Sequence, residues 1–190
     1  KKMIAMMLTL SMLAASLAGC AGGDDDDDAD WAISMASDVE VVWVESGWDP
    51  IIPNLNAGEM CDVIISAMTK TEARDQVVDF TRAYYTSSQG VIGGSGSASI
   101  SDVSELNAAG ITVGVQSGTT SDIFANGDAD NVANLADATV SAYDDFPSVI
   151  AALNNGDVMY ALGDAPVLSL EGTLMTQFSD ENFGFAVRED

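Results

Sequence analysis

Histidine is absent from this chain of 190 residues, lysine and arginine together number six, and there are two cysteines. Without histidine, the chain has no histidine-based catalytic triad, no histidine metal site and no imidazole proton shuttle. Two cysteines in such different surroundings do not make a disulfide framework. The 30 acidic residues give a formal net charge of −24, which disfavours nucleic acids and anionic membrane surfaces as partners, because both repel a polyanion. Hydrophobic residues still make up 47% of the chain, so we expect a folded protein.

The N-terminal region is typical of an export signal followed by a tether. Lys1 and Lys2 precede an apolar stretch, residues 3–17, which is too short to span a bilayer comfortably. It ends in Leu17-Ala18-Gly19-Cys20, the pattern of a lipobox, and this predicts a signal peptide over 1–19 and lipidation of Cys20. A plain secretory signal with an incidental cysteine is the alternative. Residues 20–30 are then a lipid-anchored acidic tether, which places the protein at the cell membrane, on the extracellular or periplasmic side.

The excess of acidic residues also indicates something about the solvent. A surface with many carboxylates and few lysines is typical of proteins adapted to high salt, where screening weakens the repulsion between like charges. We therefore expect a halophilic protein; an ordinary acidic extracellular protein is the alternative.

Strand and helix signals alternate along the rest of the chain. Strands are predicted at 39–44, 63–65, 111–115 and 158–162. Helices are predicted from Asp49-Pro50 to Gly58, over 72–78 with Thr71 as the N-cap, after Ser117–Ser121, and over 146–153 with Gly156 as the stop. This order predicts an α/β fold with parallel, doubly wound sheets. Segments 51–58 and 149–156 resemble each other, which favours two similar lobes; chance similarity of two helix–Gly–strand units is the alternative.

Polar residues follow three of the predicted strands, where ligands bind in open α/β sheets. Thr69 offers a hydroxyl and a backbone N–H after the second strand. Arg74 lies in the first turn of the helix capped by Thr71, where the helix dipole disfavours a cation. A bound carboxylate, held by the planar guanidinium, would explain this placement. A surface ion pair with Asp75 or Asp79 is the alternative.

The other two strand ends lie later in the chain. Gln116 precedes small residues that lead into a helix at Thr119, and such turns can expose backbone N–H groups to an anion, although the lysine of a phosphate-binding loop is missing. Asp164 ends an apolar strand and could receive an ammonium group; a simple helix N-cap is the alternative. Trp48, at a strand–helix junction, could cover an apolar ligand surface or pack in the core. Together these residues describe a site for an α-amino acid.

Four segments carry a resemblance to a known family: Trp48–Leu55, Asp62–Arg74, Val78–Tyr85 and Gly114–Thr120. With their Met-Thr-x-Thr-x-x-Arg and Asp-Phe-x-x-x-Tyr-Tyr patterns, the chain resembles the family 3 extracellular solute-binding proteins, the polar amino-acid receptors of ABC importers. The resemblance implies a periplasmic-binding-protein-like fold of type II, with two α/β lobes that close on the ligand. Residues 31–90 with 183–190 would form lobe 1, and 91–182 would form lobe 2.

The resemblance also implies a role for each candidate residue. Arg74 would bind the α-carboxylate, helped by Thr69 and the turn at Thr119, and Asp164 would bind the α-amine. Trp48 would stack on the ligand, Ala67 would contribute a backbone contact, and Gln116 would determine ligand specificity.

The chain departs from the family pattern at both ends. An aspartate run, Asp24–Asp28, stands where the family has a strand that starts the first sheet, and the sequence stops after 184–188, before the closing helices. The resemblance therefore implies a truncated member with an incomplete first lobe. Cys61, beside an apolar strand, is predicted to be a buried thiol that packs as a small hydrophobic side chain.

The sequence therefore predicts a binding protein that needs no metal and no cofactor, and acts as a monomer with an amino acid and an ABC permease as partners. An amino-acid-sensing receptor ectodomain is one alternative, although the lipobox argues against the spanning segment that signalling needs. An enzyme similar to cyclohexadienyl or arogenate dehydratases, which share the fold, is another. It is disfavoured because no acid–base pair stands out in the sequence.

Overall fold

The structure, a computed structural model, describes residues 2–7 and 40–189. The chain forms two compact units: unit 1 contains the described residues up to Tyr85 together with those from Asn182 onward, and unit 2 contains Thr86–Glu181. The chain thus passes from one unit to the other within two long strands, one over Tyr85–Gly93 and one over Thr176–Phe183. The sequence-based boundary at residue 90 lies inside the first of these strands. No helix in these residues is both long and apolar enough to cross a membrane.

Unit 1 is built around a five-stranded mixed sheet. Its strands are β1 (Lys2–Met7), β2 (Glu40–Glu45), β3 (Val63–Ile64), β4 (Asp79–Phe80) and β10 (Ala186–Val187). They lie in the order β2-β1-β3-β10-β4, and β1 is parallel to β2 and β3, whereas β10 is antiparallel to β3 and β4. Helices α1 (Ile51–Ala57) and α2 (Glu72–Asp75) follow β2 and β3.

Local sequence signals explain most of α1. Its buried residues Ile51 and Leu55 are four positions apart and therefore share one face, which packs in the unit 1 core with Ile64 and Met68. Gly58 ends the helix with φ 69°, a left-handed conformation that favours glycine. The prediction that Asp49 is the N-cap is wrong, because Pro50 occupies that position in a helical backbone conformation, without a side-chain cap.

Unit 2 also contains a five-stranded mixed sheet. Its strands are β5 (Tyr85–Gly93), β6 (Thr112–Gln116), β7 (Thr139–Tyr143), β8 (Tyr160–Asp164) and β9 (Thr176–Phe183), in the order β7-β6-β8-β5-β9. The helices are a 3-10 turn (Val103–Leu106), α3 (Thr120–Asn126), α4 (Phe146–Asn155) and α5 (Ala165–Glu171). The core includes Val113, Val115, Leu135 and Leu162, all nearly inaccessible to solvent.

The α/β fold is therefore as predicted, but the sheets are not parallel throughout. Strand β6 is parallel to β7 and β8, as a βαβ unit requires, whereas β5 is antiparallel to β8. Strand β5 enters the unit 2 sheet directly from unit 1, without a helical crossover, so the rule that makes neighbouring strands parallel does not apply to it.

Residues 2–7 differ most from expectation. The sequence predicts a signal peptide over 1–19 and a first lobe that lacks a strand, yet Lys2–Met7 forms β1 between β2 and β3. A short apolar run suits both an export signal and a parallel strand, and its periodicity cannot separate the two. The lipobox, Cys20 and the tether 20–30 lie outside the described residues.

Candidate functional site

Arg74 is held inside unit 1 rather than displayed on its surface. The backbone N–H of Arg74 donates to the Thr71 hydroxyl at 3.2 Å, so Thr71 is the N-cap of α2, as predicted. The side chain is only 9% exposed, and its Nη1 donates to the carbonyl oxygen of Thr69 at 2.9 Å. The surface-ion-pair alternative therefore does not fit, because a buried guanidinium needs partners within the fold.

Trp48 lies against the same guanidinium. The Cζ of Arg74 is 5.1 Å from the centroid of the Trp48 ring, within the range of a cation–π contact. Trp48 is half-buried and also packs against the unit 1 core, as the core-packing alternative expects. That its ring covers an apolar ligand surface stays a prediction. The contact with Trp48 restricts the position of the guanidinium, and a planar guanidinium can bind a carboxylate through two hydrogen bonds.

Ala67 and Thr69 belong to the segment that carries the carbonyl bound by Arg74. Ala67 has φ 47°, an unusual left-handed conformation for a residue with a Cβ, and its N–H donates to the Tyr84 hydroxyl at 3.1 Å. Tyr84 in turn packs on Phe185, with 4.7 Å between the ring centroids. Thr69 is buried and makes a β-bridge to Phe183. Unit 1 therefore contains one cluster of candidate residues, hereafter the Arg74 cluster: Trp48, Ala67, Thr69 and Arg74.

The turn at Thr119 is satisfied largely by its own chain. The Thr119 hydroxyl donates to the Gln116 carbonyl at 2.7 Å and accepts from the Asp122 N–H at 3.4 Å, which makes Thr119 the N-cap of α3. The Gly118 N–H donates to the Asp122 carboxylate at 2.9 Å. The buried Gln116 side chain donates to the Asp144 carbonyl at 3.4 Å. A carboxylate of the chain itself thus binds one of the N–H groups that the sequence assigned to an anion.

Asp164 does not act as a helix cap. It occupies the N-cap position of α5 but makes no side-chain cap hydrogen bond. Its Oδ1 instead accepts from Nε2 of Gln89 at 2.6 Å, across the antiparallel pairing of β8 with β5. The N-cap alternative is therefore wrong, because the carboxylate turns toward the neighbouring strand. Asp164 is half-buried.

Sequence reasoning missed two residues of this arrangement. Tyr84, which binds the Ala67 N–H, lay in a quoted motif but was given no role. Gln89, which binds Asp164, sits in a strand next to the apolar pair Val91 and Ile92. An amide inside an otherwise buried strand is the signal that could have marked it, since a buried polar group needs partners.

Arg74 in unit 1 and Asp164 in unit 2 carry charges of opposite sign. A guanidinium binds a carboxylate through two parallel hydrogen bonds, and a carboxylate binds an ammonium group. Within residues 2–7 and 40–189, no cluster of three histidine, cysteine, aspartate or glutamate side chains is placed to hold a metal ion. Cys61 is 2% exposed and packs in the unit 1 core, and burial raises the pKa of its thiol, as expected of a structural cysteine.

Comparison with known proteins gives consistent matches. The model of the bacterial extracellular solute-binding proteins, family 3, matches residues 28–156. A probable histidine-binding protein of Campylobacter jejuni is 32% identical over 132 residues, covering 70% of this chain and 48% of that protein. This chain thus spans about half the length of that curated relative.

Solved structures resemble the chain over nearly its whole length. An ancestral arginine-binding protein bound to arginine matches with a TM-score of 0.81 and 30% identity, covering 99% of this chain and 84% of that one. An ancestral amino acid-binding protein, described as a precursor of cyclohexadienyl dehydratase, matches with a TM-score of 0.80 and 25% identity, covering 99% of this chain and 82% of that one. These relatives are named as binding proteins, and the sequence-based expectation of a type II periplasmic-binding fold is confirmed.

Proposed function

Because this chain belongs to the bacterial extracellular solute-binding proteins of family 3, we propose that it captures a polar amino acid outside the cytoplasm and delivers it to an ABC importer. The Arg74 cluster of unit 1 binds the α-carboxylate, and Asp164 of unit 2 binds the α-ammonium. Preferential binding of the ligand to one conformation of the protein drives the response.

One observation carries this proposal: each unit contains a buried or half-buried charge of the sign that one pole of an amino acid requires. Arg74 is 9% exposed and oriented by Trp48 and Thr69, and Asp164 is oriented by Gln89. Charges held in place in this way bind a ligand with little loss of side-chain entropy.

The proposed ligand is a basic amino acid: arginine or lysine, whose side chains are cationic at neutral pH, or histidine, whose side chain becomes cationic in mild acid. The named relatives include histidine-binding and arginine-binding proteins. The formal net charge of −24 supports this choice, because a polyanionic surface attracts a cation and speeds its encounter with the protein. We expect L-arginine, L-lysine or L-histidine to bind more tightly than L-glutamate.

Calorimetric titration with all twenty amino acids tests the proposal. We expect at least one of L-arginine, L-lysine and L-histidine to bind the unmodified chain. The variant Asp164→Asn should bind it at least about tenfold more weakly, because a charge-assisted hydrogen bond to the ammonium is lost. Asp157→Asn is the matched control, since Asp157 is an exposed aspartate of the same unit. Absence of binding by every amino acid, or equal effects of the two variants, would reject the proposal.

We further propose that the chain is lipid-anchored through Cys20 and presents its ligand to a permease in the same membrane. The lipobox supports this proposal, whereas the pairing of Lys2–Met7 with β2 and β3 supports retention of the N-terminus. Mass spectrometry of the protein purified from membranes separates the two. A diacylated peptide that begins at Cys20 is the expected result, and a peptide that contains residues 2–7 would refute the anchor.

A further inference from the structure

The side chain of Gln89 connects three parts of unit 2. Its Nε2 donates to Oδ1 of Asp164 at 2.6 Å and to the Thr120 hydroxyl at 3.1 Å, and its Oε1 accepts from the Ser121 hydroxyl. Thr120 and Ser121 form the start of α3, Asp164 ends β8, and Gln89 itself lies on β5. One amide therefore links two strands and a helix.

The amide of Gln89 has a single defined orientation. The ionised Asp164 carboxylate can only accept, so the amide nitrogen must face it, and the amide oxygen then accepts from the Ser121 hydroxyl. Gln89 is 2% exposed and Ser121 is also 2% exposed, so water does not readily replace these bonds. A buried hydrogen-bond network in which every member has a partner is rigid, because breaking one bond leaves a buried polar group unsatisfied.

Asp164 depends on this network for its position. It is half-buried at the start of α5, and its carboxylate makes no cap bond to that helix. The bond from Gln89 binds one carboxylate oxygen and thereby restricts rotation of the group.

We infer that Gln89 is a positioning residue for ammonium recognition, which acts through Asp164 rather than by touching the ligand. This inference rests on the proposed function and deepens it, because it assigns the orientation of the ammonium-binding carboxylate to a residue on another strand. Ser121 takes part by binding the amide oxygen, which restricts rotation of the Gln89 side chain.

The first test compares L-arginine with 5-guanidinopentanoate, which is the same molecule without the α-ammonium. Gln89→Met keeps the length of the side chain but removes both amide functions. We expect it to weaken binding of L-arginine about tenfold and to leave binding of 5-guanidinopentanoate within twofold of the unmodified chain. Ser121→Ala should shift the same ratio in the same direction by a smaller factor, and it serves if Gln89→Met does not fold. Gln177→Met is the control, since Gln177 is an exposed glutamine of strand β9 in the same sheet.

Equal weakening of both ligands by Gln89→Met and Ser121→Ala would overturn the inference, because it would show a general structural role. A second measurement needs no ligand. The side-chain amide protons of Gln89, observed by NMR, should exchange slowly with water and change in chemical shift in Asp164→Asn. If the unmodified chain binds no arginine, the arginine assignment fails, and this NMR result alone decides whether Gln89 holds Asp164. Fast exchange without a shift would reject the link.

Discussion

Replacement of Arg74 by lysine tests the planar geometry of the carboxylate site while keeping its charge. The guanidinium has five N–H donors, and Nη1 donates to the Thr69 carbonyl at 2.9 Å. A lysine ammonium is a point charge on a flexible stem and cannot offer the parallel pair of donors that a carboxylate accepts. The variant should therefore lose at least one charge-assisted hydrogen bond to the ligand.

The expected loss can be estimated from the contacts. A hydrogen bond to a charged group contributes about 1.5–3 kcal/mol, so Kd should rise roughly 10- to 150-fold. The stability cost has two sources. Loss of the Arg74–Trp48 contact at 5.1 Å costs about 1 kcal/mol, and loss of the Nη1 bond to the Thr69 carbonyl costs about 1 kcal/mol more, so Tm should fall by roughly 6 °C in a chain of this size.

Isothermal titration with L-arginine and differential scanning calorimetry measure the two quantities on the same preparation. Arg82→Lys is the control, because Arg82 is an exposed arginine of the same unit, and it should leave both Kd and Tm unchanged within error. Unaltered affinity in Arg74→Lys would refute the assignment of Arg74 to the carboxylate. A fall in Tm of more than about 10 °C would show instead that Arg74 is mainly structural.

Three further predictions concern stability. Gly127→Ala should lower the free energy of unfolding by about 2–4 kcal/mol, because Gly127 has φ 73° and a Cβ would lie 2.5 Å from the Asn131 carbonyl oxygen. Gly110 has φ 87° but open space around it, so Gly110→Ala should lower the free energy of unfolding by only about 1 kcal/mol. Urea denaturation measures both values. Hydrogen bonds from neighbouring side chains and backbone N–H groups lower the pKa of four carboxyl groups in unit 2: Asp102, Glu105, Asp128 and Asp145. The pKa of each group is lower in the folded state than in the unfolded state. Their stabilising effect is therefore complete above about pH 4 and is lost as pH falls through the folded-state pKa. The urea concentration at the unfolding midpoint should decrease over this pH range, and it should decrease less steeply in Asp145→Asn. If the chain is halophilic, its Tm should rise between 0.1 M and 2 M KCl, and a Tm independent of salt would contradict that proposal.

Signals that act within a few residues allowed correct prediction from the sequence. The Thr71 hydroxyl caps α2, and Gly156 ends α4 with φ 82°, because both depend only on neighbouring backbone. The placement of Arg74 in the first turn of α2 was predicted for the same reason, and so was the alternation of strands and helices that defines the fold class.

Contacts between distant residues were beyond the sequence. Asp164 had the local signature of an N-cap, yet it accepts from Gln89, 75 positions earlier in the chain. Whether the Asp164 carboxylate caps α5 or accepts from Gln89 depends on the register of β5 against β8, which no local pattern specifies. Strand β1 was missed for a related reason, since the pairing of residues 2–7 with β2 and β3 joins segments separated by more than thirty residues.

The C-terminal segment completes a unit that the N-terminal half begins. Arg188 donates to the carbonyl oxygens of Leu55 at 3.2 Å and Cys61 at 2.8 Å, and its Nη2 lies 3.2 Å from the Asp62 carboxylate. Unit 2 is one continuous segment, whereas unit 1 needs strand β10 between β3 and β4. A chain that emerges with its N-terminus first therefore completes unit 2 before unit 1, which still lacks its last strand. A truncated chain that ends at residue 181 should then contain a protease-resistant second unit together with an unprotected first one.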